Sequence, residues 1–382
     1  MNTQLPEGNP REPLPVPLAN AKELGIHRVM DENGEPNGDL PDPELPREEM
    51  RHLYETMALL RAIEARGWKL QRSGRIAFWI PMQGQEGYQV GAVHAVNNDD
   101  WVFRGHREMA AWLMRGASLK KLFAQFFGAL DEPLQGRRLP CLIGDRSINL
   151  ISPATPVGSF LPHAMGAAWG MKIKGEKTRV LCFFGDGGTS RGEFHSAMNF
   201  AGIHRPPAIF ICANNSWAVT TPLEWQTATE EFASKGDAYK VRNLRIDGND
   251  PLAAYVVTRE AHQNAEEWGT TLVEAVTYRL GFHTSSDNPD LYRKKAEDAA
   301  WEIWDPVRRT RIYLENRNWW SDNDEEIMQE RYAEEIQAAV DAAEAMAVPG
   351  PEDQFDHLYA ELDWVLAEQR DRLVSDLAEG ES

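Results

Sequence analysis

Two short segments in the middle of the chain combine residue types that hold a metal ion and a phosphate. Gly185-Asp186-Gly187 follows the apolar run Arg179-Val-Leu-Cys-Phe-Phe184, and Asn214-Asn215 follows Ala208-Ile-Phe-Ile-Cys212, with 26 residues (188 to 213) between the motifs. Taken singly, Gly-Asp-Gly and Asn-Asn are ordinary turn sequences. Placed after two buried strands of a parallel sheet, they put one carboxylate and one amide into a single crevice at the carboxyl ends of the strands. Both are hard oxygen ligands suited to Mg²⁺, which also takes phosphate oxygens and water. Gly185, Gly187 and Gly188 let the backbone approach a diphosphate closely, and a helix from Gly192 adds a favourable dipole.

The elements that position these motifs are legible in part. Arg179–Phe184, Ala208–Cys212 and Thr271–Val276 are short, apolar or β-branched, and end in loops with Gly or Asn, as buried parallel strands do. Helical stretches separate them, Gly192 to Ala201 and Pro251 to Trp268. This alternation predicts an α/β fold, a doubly wound parallel sheet with flanking helices. A helix is expected over Glu48 to Leu70, where Met50, Leu53, Met57, Leu60, Ile63 and Leu70 recur at helical spacing. A tightly packed Ala/Gly-rich helix is expected over Ser159 to Met171. Charged amphipathic helices are expected over Asp324 to Met346 and, after Pro349-Gly-Pro351, over Asp356 to Leu377. Residues 1–45, rich in Pro, Gly, Asn and acids, are expected to form an extended arm with little core. Residues 46–345 then make up the α/β domain and 346–382 a helical extension.

Composition narrows the function classes. The chain has 382 residues, 42% apolar and 26% charged, enough to bury a sizeable core. A net charge of −19 supplies no basic surface for nucleic acid or an anionic membrane. Cys141, Cys182 and Cys212 are widely spaced without a metal-ligand pattern, as expected for reduced thiols of a cytoplasmic protein. The first twenty residues do not have the pattern of a signal peptide, and no apolar stretch approaches the ~20 residues needed to span a bilayer.

The stretch GDGGTSRGEFHSAMNFAGIHRPPAIFICANNSWAVTTP resembles the thiamine diphosphate fingerprint, and is similar to alpha subunits of the pyruvate and branched-chain 2-oxo-acid dehydrogenases. The resemblance runs from about residue 47 to 345. It includes Gly74-Arg75-Ile76-Ala77-Phe78, Gly84-Gln85-Glu86-Gly87, FRGHRE, LPHAMGAAWGMK, Ile246-Asp247-Gly248 and TYRLGFHTSSDNPDLYR. It implies that Asp186 and Asn215, with the backbone carbonyl of Trp217, hold Mg²⁺, and that Arg107 and Arg279 grip the diphosphate. It implies that the backbone at Thr155 and Val157 contacts the aminopyrimidine, and that His283 faces the reaction centre. Residue chemistry is consistent: Arg is a bidentate phosphate partner, and an imidazole exchanges protons near neutrality.

This chain departs from the family in places. His106 stands where the family usually has Tyr, which retains a hydrogen-bonding ring beside the diphosphate. Ala213 replaces a polar or charged residue of some relatives. Thr284 and Lys294 stand where animal branched-chain enzymes carry regulatory phosphoserines, so Thr284 and Ser285 are read as loop-ordering hydroxyls. The resemblance also implies partners: a beta subunit that carries the pyrimidine-binding domain and the glutamate acting on the cofactor ring, in an α₂β₂ heterotetramer, and a lipoylated acyltransferase that takes the acyl group. For the substrate, His283-Thr-Ser-Ser-Asp287, Tyr292-Arg293 and Tyr359-Ala-Glu-Leu-Asp-Trp364 favour branched-chain acids, with pyruvate or acetoin as the alternative. A non-catalytic nucleotide-binding protein is disfavoured, because neither a Walker-type nor a G-x-G-x-x-G motif is present.

Overall fold

The computed structural model describes residues 16–132 and 134–380. Nine strands and thirteen α-helices are described. The strands are β1 (Ile26–His27), β2 (Trp101–Phe103), β3 (Leu150–Ile151), β4 (Val180–Gly185), β5 (Ala208–Asn214), β6 (Trp217–Ala218), β7 (Thr221–Pro222), β8 (Arg242–Asp247) and β9 (Thr271–Val276). The helices are α1 (Arg47–Arg72), α2 (Glu86–Ala95), α3 (Ala110–Met114), α4 (Leu119–Phe127), α5 (Leu161–Lys174), α6 (Gly192–His204) and α7 (Leu223–Gln226), then α8 (Pro251–Gln263), α9 (Ala265–Trp268), α10 (Lys295–Glu302), α11 (Pro306–Asn316), α12 (Asp322–Glu344) and α13 (Trp364–Gly380).

Seven strands form one sheet in the order β1-β8-β9-β5-β4-β2-β3, and every adjacent pair is parallel. Both faces are covered, which is why the central strands read as unbroken apolar runs. Their side chains nonetheless alternate. Leu181, Phe183, Ile209, Ile211, Val273 and Ala275 face a core built with α1, α2, α3, α8 and α12. Val180, Cys182, Phe184, Ala208, Phe210, Cys212 and Leu272 face a second core under α5 and α6. On the first face α2 lies very close to α8: a Cβ on Gly91 would sit 2.1 Å from the Pro251 carbonyl oxygen, so only glycine permits that approach.

The expected α1 is present, with Met50, Leu53, Met57, Leu60 and Ile63 fully buried. The single helix expected over Pro251–Trp268 is two. Asn264 interrupts it, adopting φ −98°, ψ 10° and donating its amide to the Glu260 carbonyl at 2.9 Å. The last helix starts at Trp364 rather than Asp356, where the Asp363 carboxylate accepts the Leu366 N–H at 2.9 Å.

The arm expectation needs correction where the structure describes it; residues 1–15 lie outside the described residues. Residues 16–45 contribute the edge strand β1 to the sheet and bury Leu18, Ile26, Val29 and Met30. The Val29 and Met30 N–H groups donate to buried Asp250 at 2.8 and 2.7 Å. Of the tryptophans, Trp79, Trp112, Trp217, Trp301, Trp304 and Trp320 fill cores, while Trp225 and Trp364 are exposed. All three cysteines are buried. No described helix is long and apolar enough to cross a membrane.

Candidate active site

Loops at the carboxyl ends of β2, β3, β4, β5 and β9 converge on a cavity of about 390 Å³. Its lining includes His106 and Arg107 after β2, Thr155 and Val157 after β3, Gly185, Asp186 and Gly187 at the end of β4, Asn215 and Trp217 after β5, and His283 after β9. Ten of the twelve residues singled out in the sequence therefore share one wall-to-wall site.

Asp186 is 2% exposed, and its carboxyl is pushed up to about 6 by burial, opposed by hydrogen bonds from Gln226 and the Gly187 backbone. The Gln226 amide donates to Asp186 Oδ2 at 3.0 Å, while Gln226 Oε1 is buried without a partner. Across the site, Asn215 donates to Gln85 Oε1 at 3.1 Å, and its own Oδ1 accepts the Trp217 N–H at 3.2 Å. Ser216 and Val219 hold left-handed backbone, φ 70° and 58°, in the loop that turns Trp217 into the cavity. Among the described residues no group of three or more His, Cys, Asp or Glu could hold a metal ion. The cavity lining holds the carboxylates of Asp186 and Glu108 and the amide of Asn215.

The opposite wall is cationic. Arg107 is buried, donates to the carbonyls of Pro81 and His283 (the latter at 2.8 Å), and lies 3.1 Å from His283 Nδ1. Arg279 reaches the same nitrogen at 3.2 Å and donates to the Val219 carbonyl at 2.9 Å and the Tyr292 hydroxyl at 2.7 Å. Burial first, then Arg279, lowers Arg107 to about 10. Burial, then Arg107 and Arg279, drives His283 down to about 3, so its ring is neutral. Both guanidiniums only donate, so Nδ1 is the acceptor and the ring proton is on Nε2. The loop is further tied by Asp287, whose Oδ2 accepts from the His283 N–H and the Tyr292 hydroxyl, both at 2.6 Å. Ser285 exchanges hydrogen bonds with the Trp79 backbone at 2.9 and 3.3 Å, and Thr284 Oγ1 accepts the Ser286 N–H at 3.3 Å, so these hydroxyls order the loop. His106 is lowered to about 4 by burial and then by Arg104 and Arg107, with the Ala154 and Thr155 backbone opposing.

Two of the selected residues stand back from the cavity. Gly188 lies behind the Asp186 turn, where a Cβ would meet the Phe184 ring at 3.0 Å and Val157 at 3.6 Å. Arg279 reaches the site through His283 and Val219. Sequence reasoning missed Leu139, Leu142, Ile80, Glu108 and Val219, which also line the cavity, and Gln226 behind it. Only Glu108 carried a signal, as the neighbour of Arg107 in FRGHRE; its Oε1 accepts the Tyr88 hydroxyl at 2.6 Å.

Comparison with known proteins adds the family. Residues 54–352 match the family described as dehydrogenase E1 component. The chain is 34% identical over 356 residues to the mitochondrial 2-oxoisovalerate dehydrogenase subunit alpha of Mus musculus and to that of Homo sapiens, covering 93% of this chain and 80% of each relative. It is 34% identical over 358 residues to the Caenorhabditis elegans protein of the same name, covering 93% of this chain and 83% of that one. The chain belongs to the dehydrogenase E1 component family, as an alpha subunit of the thiamine diphosphate-dependent 2-oxo-acid dehydrogenases.

Proposed function

We propose that this alpha subunit, joined to a beta subunit as α₂β₂, catalyses oxidative decarboxylation of a branched-chain 2-oxo acid, 3-methyl-2-oxobutanoate in type, and passes the acyl group to a lipoylated acyltransferase. The relatives named for 2-oxoisovalerate support the substrate class. The observation that carries the reading is the single cavity lined by a buried carboxylate, a buried arginine and a neutral histidine, with the buried Arg279 behind the histidine.

The residues fit the cofactor and its cation. Asp186 is a buried carboxylate whose described hydrogen-bond donors are neutral, and burial without a paired cation is costly. A hard divalent ion such as Mg²⁺ relieves that cost, with Asn215 Oδ1 and the Trp217 carbonyl as further oxygen donors. Arg107 and Arg279 raise the mirror problem, two buried like charges that a diphosphate neutralises. Bound there, thiamine diphosphate supplies the nucleophilic carbon and the electron sink for loss of CO₂.

The chain's own residues orient and shield. Arg107 and Arg279 fix the anion and, through Nδ1, hold the His283 ring with its Nε2 proton available to the substrate carboxylate. Phe78, Ile80, Leu139, Leu142, Val157 and Val219 give the cavity an apolar lining that suits an aliphatic substrate side chain. The lining carboxylates are Asp186 and Glu108, the latter engaged by Tyr88, so the glutamate that acts on the cofactor ring is assigned to the beta subunit.

The test is co-expression with a beta subunit and an assay of 2-oxo-acid-dependent dye reduction with thiamine diphosphate and Mg²⁺. The expected kcat/KM is highest for 3-methyl-2-oxobutanoate, lower for pyruvate, and lost in Asp186→Ala. Activity that persists in Asp186→Ala, or that pyruvate or acetoin elicits best, refutes the reading.

A further inference from the structure

A charged side chain sits where the sheet leads one to expect an apolar one. Glu274 is in the middle of β9, between Cys212 of β5 and Arg245 of β8, and is fully buried. Central parallel strands are covered on both faces, and a carboxylate there is costly unless it is held by several donors. It is so held. Glu274 Oε1 accepts the Asn214 amide at 2.7 Å, and Oε2 accepts the Ala233 N–H at 2.9 Å, with Arg245 Nε at 3.5 Å from the same oxygen.

The two hydrogen-bond donors, Asn214 and Ala233, each lead to one side of the cavity. Asn214 is the inner member of Asn214-Asn215: its Nδ2 goes to Glu274, and its Oδ1 accepts the N–H of Ser216 at 3.2 Å. Ser216 holds left-handed backbone, and the reversal it makes presents Asn215 and Trp217 to the cavity. Ala233 opens the short 3₁₀ segment Ala233–Tyr239, and two residues on, the Lys235 ammonium donates to Thr189 Oγ1 at 2.9 Å. Thr189 belongs to the Asp186–Ser190 turn. One carboxylate thus bridges the turn that carries Asn215 and the turn that carries Asp186.

We propose that Glu274 is a positioning residue for the cation site, fixing the Asn215 and Asp186 turns at the separation a divalent cation requires. The proposal rests on the reading of Asp186 and Asn215 as cation ligands. It also accounts for the paired asparagines: Asn215 faces the cavity, while Asn214 is spent on Glu274 and Ser216.

Hydrogen-bond polarity makes the proposal testable. In Glu274→Gln the new carboxamide can accept from Ala233 only by turning its NH₂ toward Asn214 Nδ2, donor against donor. Flipping Asn214 moves the same conflict to the Ser216 N–H. Asn214→Asp combined with Glu274→Gln removes the conflict, because Asp accepts from both. The experiment uses the assembled complex with the beta subunit, titrating Mg²⁺ in the presence of thiamine diphosphate and following the quench of tryptophan fluorescence. Loss of a partner that orients a metal ligand typically weakens metal affinity by about 10–100-fold, and that is expected for Glu274→Gln. The KM for the 2-oxo acid at saturating Mg²⁺ should stay within about two-fold of wild type, a separation that general loss of stability does not produce. The double variant should recover most of the affinity that Glu274→Gln loses. Unchanged affinity in Glu274→Gln, or a double variant as weak as the single, overturns the proposal. If Glu274→Gln does not assemble, Thr189→Val decides: affinity weakened by about three-fold or more supports the bridge, and unchanged affinity overturns it. Failure of the underlying reading has a different signature, a wild-type complex with no Mg²⁺-dependent response or an Asp186→Ala complex that keeps it.

Discussion

Replacing Arg309 by Met should destabilise the chain by an amount that depends on pH. Arg309 on α11 is fully buried and donates to Asp247 Oδ2 at 2.8 Å, to the Asp31 carbonyl at 2.9 Å and to the Met30 carbonyl at 2.5 Å. It ties residues 30–31 to the end of β8. Met fills similar volume but leaves Asp247 buried without its cation, a loss of about 3–5 kcal/mol. For 382 residues the unfolding entropy near 60 °C is about 0.8 kcal/mol/K, so the melting temperature should fall by about 5 °C. Asp250 lies beside this pair, and burial raises its carboxyl to about 6, with Arg309 pulling it down and Asp247 pushing it up. A carboxyl whose folded pKa exceeds its unfolded value destabilises the fold above the folded pKa, and the penalty is relieved as pH falls through it. Without Arg309 the Asp250 value moves higher still, so the variant's deficit is largest at pH 8 and shrinks toward pH 6. The slope is up to about 1.4 kcal/mol per unit for one proton, or about 1.7 °C. Scanning calorimetry of the assembled complex at pH 6, 7 and 8 reads this directly. Adding Asp247→Asn, which retains an oxygen for the Asn249 N–H now 2.9 Å from Asp247 Oδ1, should recover most of the loss. A gap between Arg309→Met and wild type that is constant across pH would refute the electrostatic reasoning, and no gap at pH 8 would refute the burial argument itself.

Three further substitutions probe the site. Arg107→Met should raise the thiamine diphosphate concentration for half-maximal activity by about 10- to 150-fold, as expected for loss of a hydrogen bond to a charged group worth about 1.5–3 kcal/mol. In the cofactor-free complex the same change removes one of the two cations that hold His283 near 3, so carbethoxylation of His283, read by mass spectrometry, should show its midpoint moving upward in pH. Gly187→Ala places a Cβ 2.9 Å from the Ala218 Cβ and should weaken cofactor binding by about ten-fold, with Ala218→Gly restoring it because the clash is between those two atoms alone. Leu142→Ala opens the apolar wall and should lower kcat/KM for 3-methyl-2-oxobutanoate by about ten-fold while changing pyruvate less, measured by paired dye-reduction assays.

What the sequence disclosed depended on whether a segment's neighbours lie close along the chain. The strands β4, β5 and β9 were legible because being covered on both faces forces an unbroken apolar run. β1 and β3 have two residues each and β2 three, too short for any period. β8, Arg-Asn-Leu-Arg-Ile-Asp, is fully buried only at Ile246 and Asp247 and reads as polar. That Asp186 and Asn215 would share one cavity was legible because their spacing along the chain is fixed by a strand, a helix and a second strand. Leu139, Leu142 and Gln226 were not, since a leucine in a loop or a glutamine on a four-residue helix acquires meaning only from what folds against it. The glycines of Gly185-Asp186-Gly187-Gly188 show the limit most sharply. The sequence treats Gly187 and Gly188 as equivalent, but Asp186–Ser190 is a 3₁₀ turn, in which each residue is rotated by about 120° from the last. A Cβ on Gly187, which lines the cavity, would therefore meet Ala218, while one on Gly188 would meet Phe184 and Val157. A motif names the residues that must be present; the rotation of the turn decides which of them lines the cavity.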